Sequence, residues 1–543
     1  MGNLKDVAVG NAILWAGNPM TKFRGGMRIL DGIVTEIFHQ ESPPQKPVTD
    51  LGGMHVIPGL IDAHRHFFIS SLLPLHGDAG VWKSKDDALS AIAAACRTQK
   101  SGMRWVFFTG LDSPKWKKPS LPTIRDIDDA AQGLPVLVVD TTLHKGLVST
   151  EALRLAGLRR DSLRCPSDMD INRDGTPKGT VWEDAMSRVL FCMCREMFQN
   201  LSAEEKRKII IDEAARCLQM GLTHVHDPGV PTDIQHLLAD AQKYTPLKIS
   251  WSVTEFGSLF APPEQKDESW AIHSPHAPRS VKFFLDGANR TASNMPVIAG
   301  LKAALRATAD SVTGGSLAPF NMLLGEKTIL KDGKIYLPYL RFGNDDELIR
   351  RARFFTEKGY RLVMHALGNV AALQAARVVN TLGVGKRSSI EHMLVMSTED
   401  LELFSGCGAV ASIQPGFIPF YADSIERMGA IPYLKTFALR SLISSGVTVC
   451  ISSDGPCGPD DPLHNIRRAV DRGKPDGTAF DPEESISEIQ ALTAATTGGS
   501  HSLGIKNEGL KEGSPATFCV IDGNPFSDTS RVVQTWIDGK RAY

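Results

Sequence analysis

Short apolar runs alternate with helical patterns through most of the chain. The apolar runs are rich in valine, isoleucine and leucine and have the length of buried strands. Residues 345–358 and 370–382 instead place apolar side chains at helical spacing. Alternation of strand and helix predicts a parallel α/β sheet, open or closed. A less regular stretch within 80–220 indicates an inserted subdomain. The predicted strands are 136–139, 223–226, 247–253, 281–284, 361–364, 409–413 and 447–451.

The two ends of the chain have a different sequence pattern, in which short β-type runs are separated by turn residues. The dipeptide Asp31-Gly32 between two of these runs favours a hairpin turn. Because the termini of a domain often lie close together, we expect residues 1–57 and 505–543 to complete one sheet or sandwich. The terminal runs are 12–15, 27–30, 33–37, 517–522 and 532–540.

An HxH pair follows an apolar run near the start of the α/β unit. Residues 57–66 read Ile-Pro-Gly-Leu-Ile-Asp-Ala-His-Arg-His, and we interpret them as a short buried strand that carries the two histidines. Side chains two residues apart on a strand point to the same face, so His64 and His66 can share one metal ion. Imidazole suits several transition metals, so the pair predicts a metal site without naming the metal.

Four more residues suited to metal binding or proton transfer lie in predicted strands or where those strands end. Lys282 lies within one apolar run, His365 and His392 end two others, and Asp454 follows a fourth. In a parallel barrel the active site is built at the carboxyl ends of the strands. Each residue alone has a structural explanation, such as a core histidine, a turn aspartate or a solvated lysine. Together with the HxH pair, the four predict a metal centre.

Charge and composition argue against several other function classes. The 543 residues carry 60 Lys and Arg against 61 Asp and Glu, a formal net charge of −1, and no basic run stands out. We therefore expect no nucleic-acid partner and no membrane partner. No apolar run reaches the ~18 residues of a membrane helix, and the first residues lack the apolar core of a signal peptide. Nine scattered cysteines without a CxxC pair indicate reduced thiols, so we expect a cytoplasmic protein.

Several short motifs, taken in their order and spacing, resemble those of the metal-dependent amidohydrolase superfamily. Within it the chain is similar to the branch of N-substituted formamide deformylase-like enzymes, and the resemblance runs over nearly the whole chain. Any one motif is loose, whereas the ordered series is specific. The motifs lie at 58–66, 122–128, 175–183, 221–227, 281–287, 365–369, 390–392, 414–415 and 453–454.

The resemblance implies a (β/α)8 TIM-type barrel over residues 58–504 and a small β-sandwich built from 1–57 and 505–543. It also implies a cofactor, which is a divalent metal at one or two ions per chain, with zinc as the default from the ligand chemistry. The insertion within 80–220 would then lie inside the barrel sequence.

The resemblance also implies a role for each candidate ligand. His64 and His66 would hold the more buried ion. Lys282 would be carboxylated by CO2 and would bridge to a second ion held by the other two histidines. Asp454 would contact the first ion and carry protons. The implied metal ligands are His64, His66, Lys282, His365, His392 and Asp454.

Three further residues are candidates for the substrate pocket. His144 aligns with a family histidine that lines the pocket, Glu183 could face the metal centre, and Arg290 could pair with an anionic substrate group. Each has a structural alternative as a hydrogen-bonded histidine, a helix cap or a surface arginine. His224 and His226 form a second i, i+2 pair, but they lie where the family has a structural strand, so we do not expect them to bind metal.

These features predict a hydrolase that cleaves a C–N bond of an amide, formamide or related small molecule by metal-activated water. Residues 287–290 read Gly-Ala-Asn-Arg where the family usually has Gly-Ser-Leu-Gly, so a lyase, isomerase or condensing enzyme on the same barrel is an alternative. A non-catalytic binding or regulatory protein is the second alternative, although every predicted ligand is present. The expected partner is a small-molecule substrate. The assembly is open, with a homodimer as one option.

Overall fold

The computed structural model describes most of the chain, in segments that alternate between strands and helices. The described residues are 6–41, 48–72, 77–98, 104–113, 116, 120–163, 168–255, 271–288, 291–302, 305, 308, 329–428, 434–507 and 509–543. The strands are β1 (Asp6–Ala16), β2 (Thr21–Leu30), β3 (Ile33–His39), β4 (Thr49–Asp50), β5 (His55–Pro58), β6 (Leu60–Asp62), β7 (Gly77–Asp78), β8 (Val106–Leu111), β9 (Val136–Asp140), β10 (Lys145–Val148), β11 (Met169–Ile171), β12 (Pro177–Trp182), β13 (Leu222–Asp227), β14 (Lys248–Trp251), β15 (Val253–Thr254), β16 (Ser280–Phe284), β17 (Ala292–Pro296), β18 (Ile329–Lys331), β19 (Lys334–Pro338), β20 (Arg361–Ala366), β21 (Ser388–His392), β22 (Val395–Met396), β23 (Val410–Ile413), β24 (Lys435–Thr436), β25 (Val449–Ile451), β26 (Phe518–Asp522), β27 (Arg531–Ile537) and β28 (Lys540–Arg541).

Several helices begin after a residue whose side chain accepts from a free backbone N–H group, as Ser84 does before Lys85–Arg97 and Ser149 before Thr150–Leu155. In helices Ile124–Ala131 and Ala203–Gln219 a capping box does this, formed by Thr123 with Asp126 and by Ser202 with Glu205. Among the residues that the structure describes, no helix combines the length and apolar character needed to cross a bilayer. The helices are α1 (Phe67–Leu72), α2 (Lys85–Arg97), α3 (Ile124–Ala131), α4 (Thr150–Leu155), α5 (Glu183–Asn200), α6 (Ala203–Gln219), α7 (Thr232–Ala241), α8 (Asp345–Thr356), α9 (Asn369–Leu382), α10 (Leu401–Cys407), α11 (Ile418–Met428), α12 (Leu439–Ser444), α13 (Pro462–Asp471), α14 (Glu488–Thr493) and α15 (Gly499–Leu503).

Strands from both ends of the chain form one eight-stranded sheet. Its order is β28-β27-β26-β5-β1-β2-β3, with β4 paired to β1. Strand β5 is the junction, because it pairs in parallel with β1 and antiparallel with β26. Leu14, Val56 and Phe518 pack in the apolar cluster on this sheet. The two termini therefore share a sheet, while a two-layer sandwich stays a prediction.

Two arcs of parallel strands carry the candidate site. The shorter arc is β14-β13-β6, and the longer is β15-β16-β20-β21-β23-β25. Only Ser252 separates β14 from β15. At the other end, the N–H groups of Ser453 and Asp454 donate to the Asp62 carboxylate and the His64 carbonyl. This is a mixed α/β fold of the TIM-barrel type, and closure into one eight-stranded ring stays a prediction.

Gly59 lies at the corner where the chain leaves the terminal sheet and enters the shorter arc. It separates β5 from β6, which pairs with β13. A Cβ atom at this position would lie 2.6 Å from the Thr223 hydroxyl and 2.8 Å from a Thr517 methyl group. A side chain would therefore force the two sheets apart, and glycine permits the close approach.

A separate six-stranded sheet is formed by the residues that lie between β6 and β13 in the chain. Its order is β11-β12-β10-β9-β8-β7, and α2 and α3 pack beside it in a cluster that contains Trp82 and Phe108. Apart from β7, the sheet lies within residues 80–220, the stretch where the sequence predicts an inserted subdomain. The domain boundaries themselves stay a prediction.

The prediction that a strand carries the HxH pair is wrong, because β6 ends at Asp62. The N–H group of Arg65 donates to the His226 carbonyl at 3.0 Å, and that of His66 donates to the Gly455 carbonyl at 2.8 Å. The first acceptor belongs to β13 and the second lies in the loop after β25. The HxH segment therefore bridges these two segments and does not extend the pairing of one strand.

Candidate metal centre

The six residues predicted as metal ligands lie together at the carboxyl ends of the parallel strands. Three of them belong to β16, β20 and β21, and the other three follow β6 and β25. The His392 ring lies between two others, with centroid distances of 4.7 Å to His64 and 4.5 Å to His365. The fold thus brings together side chains that are hundreds of residues apart. The six are Lys282 on β16, His365 on β20, His392 on β21, His64 and His66 after β6, and Asp454 after β25.

His64, His66 and Asp454 form the tightest group of donors. One ligand atom from each lies within 4.8 Å of the others. Asp454 Oδ1 is 3.5 Å from His64 Nε2 and 3.3 Å from His66 Nε2. Two imidazole nitrogens and a carboxylate oxygen form the type of donor set that holds a divalent transition metal.

Two of the histidines are oriented by partners behind them. His64 Nδ1 lies 2.7 Å from the Glu391 carboxylate, and both side chains are 1% exposed. His392 Nδ1 lies 3.0 Å from Gln414 Oε1. Because each partner accepts the Nδ1–H, each ring presents Nε2 as a lone pair. Carboxylate or amide partners of this kind usually support metal-ligating histidines.

Four buried nitrogen atoms at the centre have no hydrogen-bond partner among the described residues. They are His66 Nδ1, Lys282 Nζ, His365 Nε2 and His392 Nε2. Buried polar groups are nearly always paired, because an unpaired one costs about 1–3 kcal/mol. The imidazole nitrogens left unpaired next to the donor group of His64 fit a cation, and Lys282 Nζ can meet one only after it loses its proton. The residues present are therefore compatible with a divalent metal.

Burial sets the protonation of these groups in the direction that metal binding requires. It lowers the pKa of Lys282 to about 8, although the carboxylates of Glu391 and Asp454 oppose this shift. It lowers the pKa of His392 to about 3 and that of His365 well below its usual value. For Asp454, burial alone raises the pKa, but the contact with His66 and the nearby imidazoles outweigh it and hold the pKa well below normal. The centre thus offers neutral imidazoles and an ionised carboxylate.

The backbone at two of these residues has an unusual conformation. Asp454 has a φ of 56° and His392 a φ of 75°, both in the left-handed region. Non-glycine residues there cost about 1–3 kcal/mol each and cluster at functional sites. The surrounding hydrogen bonds maintain this conformation, including the bond from Asp454 N to the His64 carbonyl at 2.8 Å.

His144 and Glu183, the predicted pocket residues, lie beside the metal centre as a pair. His144 Nδ1 is 2.7 Å from the Glu183 carboxylate, and the His144 ring stacks on His365 with 5.8 Å between centroids. Burial lowers the pKa of His144, but the Glu183 charge outweighs burial and raises it overall. A Cβ atom at Gly287 would lie 2.4 Å from the Glu183 carboxylate, so only glycine fits there. Arg290 lies outside the described residues.

The second histidine pair is held by serine hydroxyls. His224 Nε2 and His226 Nδ1 both lie 2.8 Å from the Ser250 hydroxyl, and His226 Nε2 lies 2.9 Å from Ser252. Both nitrogens of His226 are therefore occupied. This agrees with the interpretation of the pair as part of a structural strand.

Sequence reasoning missed several residues that support the centre. Glu391 and Gln414 lie inside motifs that carried the family resemblance, but no pattern indicated that they bond to His64 and His392. Arg65 also lies inside such a motif, between the two histidines of the HxH pair, and no pattern indicated that it is fully buried. Its guanidinium binds Glu213 at 2.7 Å and Asp460 at 2.8 Å, and so ties the HxH segment to α6 and to the loop after β25.

The chain is similar to known proteins over most of its length. N-substituted formamide deformylase from Arthrobacter pascens is 24% identical, with 96% of this chain and 94% of that protein aligned. Protein LONG AFTER FAR-RED 3 from Arabidopsis thaliana is 24% identical, with 100% of this chain and 92% of that protein aligned. An uncharacterized metal-dependent hydrolase from Pyrococcus horikoshii OT3 has the same fold, with a TM-score of 0.68, 19% identity and coverage of 96% and 98% of the two chains. The model of the amidohydrolase family matches residues 47–543, and the chain therefore belongs to that family.

Proposed function

We propose that this protein is a metal-dependent hydrolase that cleaves a C–N bond in an amide, formamide or related small molecule. The observation that carries the proposal is the group of buried, unpartnered nitrogen atoms of Lys282, His365 and His392 beside the cluster of His64, His66 and Asp454. Membership of the amidohydrolase family supports hydrolysis. The 24% identity to an N-substituted formamide deformylase supports the choice of bond.

The ligands divide into two groups in this proposal. His64, His66 and Asp454 hold one divalent cation, with zinc as the default, and His365 and His392 hold a second. Bound cations of this kind supply Lewis acidity toward a carbonyl oxygen and toward water. The carboxylates behind the ligands, such as that of Glu391 behind His64, keep the imidazoles oriented and basic.

Lys282 is proposed to join the two groups after reaction with CO2. Its neutral amine attacks the carbon of CO2, a new N–C bond forms, and one proton leaves, so the product is an anionic carbamate. A pKa of about 8 leaves roughly a tenth of the side chain neutral at pH 7, which is enough for this reaction. Full burial of Lys282 removes the competing water that would otherwise solvate the ammonium form.

Asp454 is proposed to transfer the proton during hydrolysis. It is ionised, so it can accept a proton as water adds to the carbonyl carbon, and it can then give that proton to the leaving nitrogen. Rupture of the C–N bond yields a carboxylic acid and an amine. His144 is proposed to donate a hydrogen bond from Nε2 to the carbonyl oxygen, because Glu183 already occupies Nδ1 and raises the pKa of the ring.

Product analysis tests this proposal directly. The metal-supplemented protein is incubated in ¹⁸O-labelled water with a panel of small amides and formamides, and both fragments are measured. Equal amounts of amine and singly labelled acid, absent in D454N, are the expected result. A rearranged or decarboxylated product without ¹⁸O would show that the centre catalyses another reaction and would overturn the hydrolase proposal.

A further inference from the structure

Arg341 projects its guanidinium into the protein next to the candidate metal centre. Its backbone N–H donates to the Leu285 carbonyl, the residue after β16, at 2.8 Å. Its guanidinium carbon lies 5.9 Å from the centroid of the Phe284 ring. The same ring lies 5.3 Å from the His365 ring and 5.2 Å from Lys282 Nζ. The guanidinium and two of the candidate metal ligands therefore lie around the same aromatic ring.

Two nitrogen atoms of Arg341 are buried and lack an acceptor in the described part of the chain. These atoms, Nε and Nη2, form one edge of the guanidinium, where two parallel N–H groups match the two oxygens of a carboxylate. Elsewhere in this chain the same edge binds a carboxylate through both atoms. Examples are Arg28–Asp6, Arg154–Glu151 and Arg377–Asp345.

The environment of Arg341 favours a ligand over a purely structural role. A guanidinium edge that is buried without an acceptor is costly, so proteins retain one where an anion will meet it. The residue as a whole is only partly buried, so its buried edge lies close to the surface of the described part of the protein. Its planar edge distinguishes a carboxylate, which it binds through two parallel hydrogen bonds, from a neutral amide, which offers one acceptor.

We propose that Arg341 binds a carboxylate of the substrate, so that the enzyme acts on amides that also carry a carboxylate group. This inference rests on the proposed hydrolytic function and adds the substrate class to it. The substrate's carboxylate lies on the Nε–Nη2 edge of Arg341, its apolar part lies against Phe284, and its scissile amide reaches the side of His365.

A matched panel of substrates tests the role of Arg341. The probes are N-formyl amino acids and their primary carboxamides, which have the same shape but no charge, and the readout is kcat/KM for formate release. The parent enzyme is expected to prefer the acids, and R341Q to lose about 10-fold to 100-fold of that preference, as a charge-assisted hydrogen bond implies. R341K, which keeps the charge without the planar edge, is expected to fall between them.

A control separates this effect from general damage to the protein. Arg28 already binds Asp6 on the exposed surface of the terminal sheet, so R28Q removes the same functional group at a remote site and should leave the preference unchanged. Circular dichroism and thermal unfolding of each variant establish that it is folded. An acid preference that persists in R341Q, or that is absent from the parent, would overturn the proposal.

Equilibrium binding distinguishes failure of this inference from failure of the hydrolase proposal. Calorimetry on the purified metal-containing protein measures the Kd of each acid and its carboxamide, whether or not turnover occurs. An acid preference that depends on Arg341 without turnover would support the carboxylate site and count against hydrolysis. Turnover of both probes with equal Kd values would support hydrolysis and overturn the role of Arg341.

Discussion

Replacement of Glu391 by glutamine is expected to weaken metal binding while leaving the fold intact. The Glu391 carboxylate lies 2.7 Å from His64 Nδ1, and Ser389 donates its hydroxyl to the other carboxylate oxygen. Glutamine has nearly the same shape and can still accept the His64 N–H through its amide oxygen. The variant therefore removes the negative charge and retains the packing.

The size of the effect follows from the position of Glu391 behind a metal ligand. Both Glu391 and His64 are 1% exposed, so water does not screen their interaction. Burial alone would raise the pKa of Glu391, but His64 and Lys282 lower it to about 2, so the carboxylate is ionised at neutral pH. Loss of such a partner typically lowers metal affinity about 10-fold to 100-fold, which corresponds to about 1.4–2.8 kcal/mol.

Metal affinity of E391Q can be measured by competition with a chromophoric chelator. E484Q is a matched control, because Glu484 is also buried and accepts hydrogen bonds from Lys435 and Ser441, but it belongs to a different part of the fold. We expect E484Q to keep the parental metal affinity even if it unfolds at a lower temperature. Parental metal affinity in folded E391Q would refute the argument that Glu391 supports a metal ligand.

Three more predictions address individual residues. K282A should lose at least one equivalent of metal and recover part of its turnover in small carboxylic acids, whereas unchanged metal content would remove Lys282 from the bridge. D454N should retain most of its metal and lose about 10²-fold to 10⁴-fold in kcat, and a near-parental kcat would exclude Asp454 as the proton carrier. R65Q should lower the free energy of unfolding by about 3–5 kcal/mol, because it leaves the buried Glu213 carboxylate without one of its cations. Chemical denaturation measures the free energy of unfolding, and a change below about 1 kcal/mol would contradict the prediction.

The parallel strands were predictable because their sequences are short, apolar and bounded by turns. The predicted strands at 281–284, 361–364 and 447–451 correspond to β16, β20 and β25 within one or two residues. The six-stranded sheet was harder to predict, because β8 (Val106–Leu111) and β12 (Pro177–Trp182) contain glycine or proline, which weakens the strand pattern. Its strands are defined by their pairing partners more than by local preference.

The candidate ligands could be named from sequence because each has a distinctive side chain at the end of a strand. Their supporting contacts could not, since they join positions with no local relation. Glu391 is 327 residues from His64, and Arg65 binds side chains on α6 and on the loop after β25. Arg341 was also missed, because a single arginine after a β-hairpin has the pattern of a surface residue. The unpaired edge of its guanidinium is evident only from the fold, which places Arg341 beside Phe284.

Elemental metal analysis of the purified protein tests the central claim most directly. The parent and a H64A/H66A variant are purified together in metal-supplemented, chelator-free buffer and compared after extensive dialysis. We expect about two equivalents of divalent metal in the parent and a clear loss in the variant, because the two imidazoles supply two of the donors in the tightest group. A folded parent protein that contains no metal would contradict the metal-dependent mechanism.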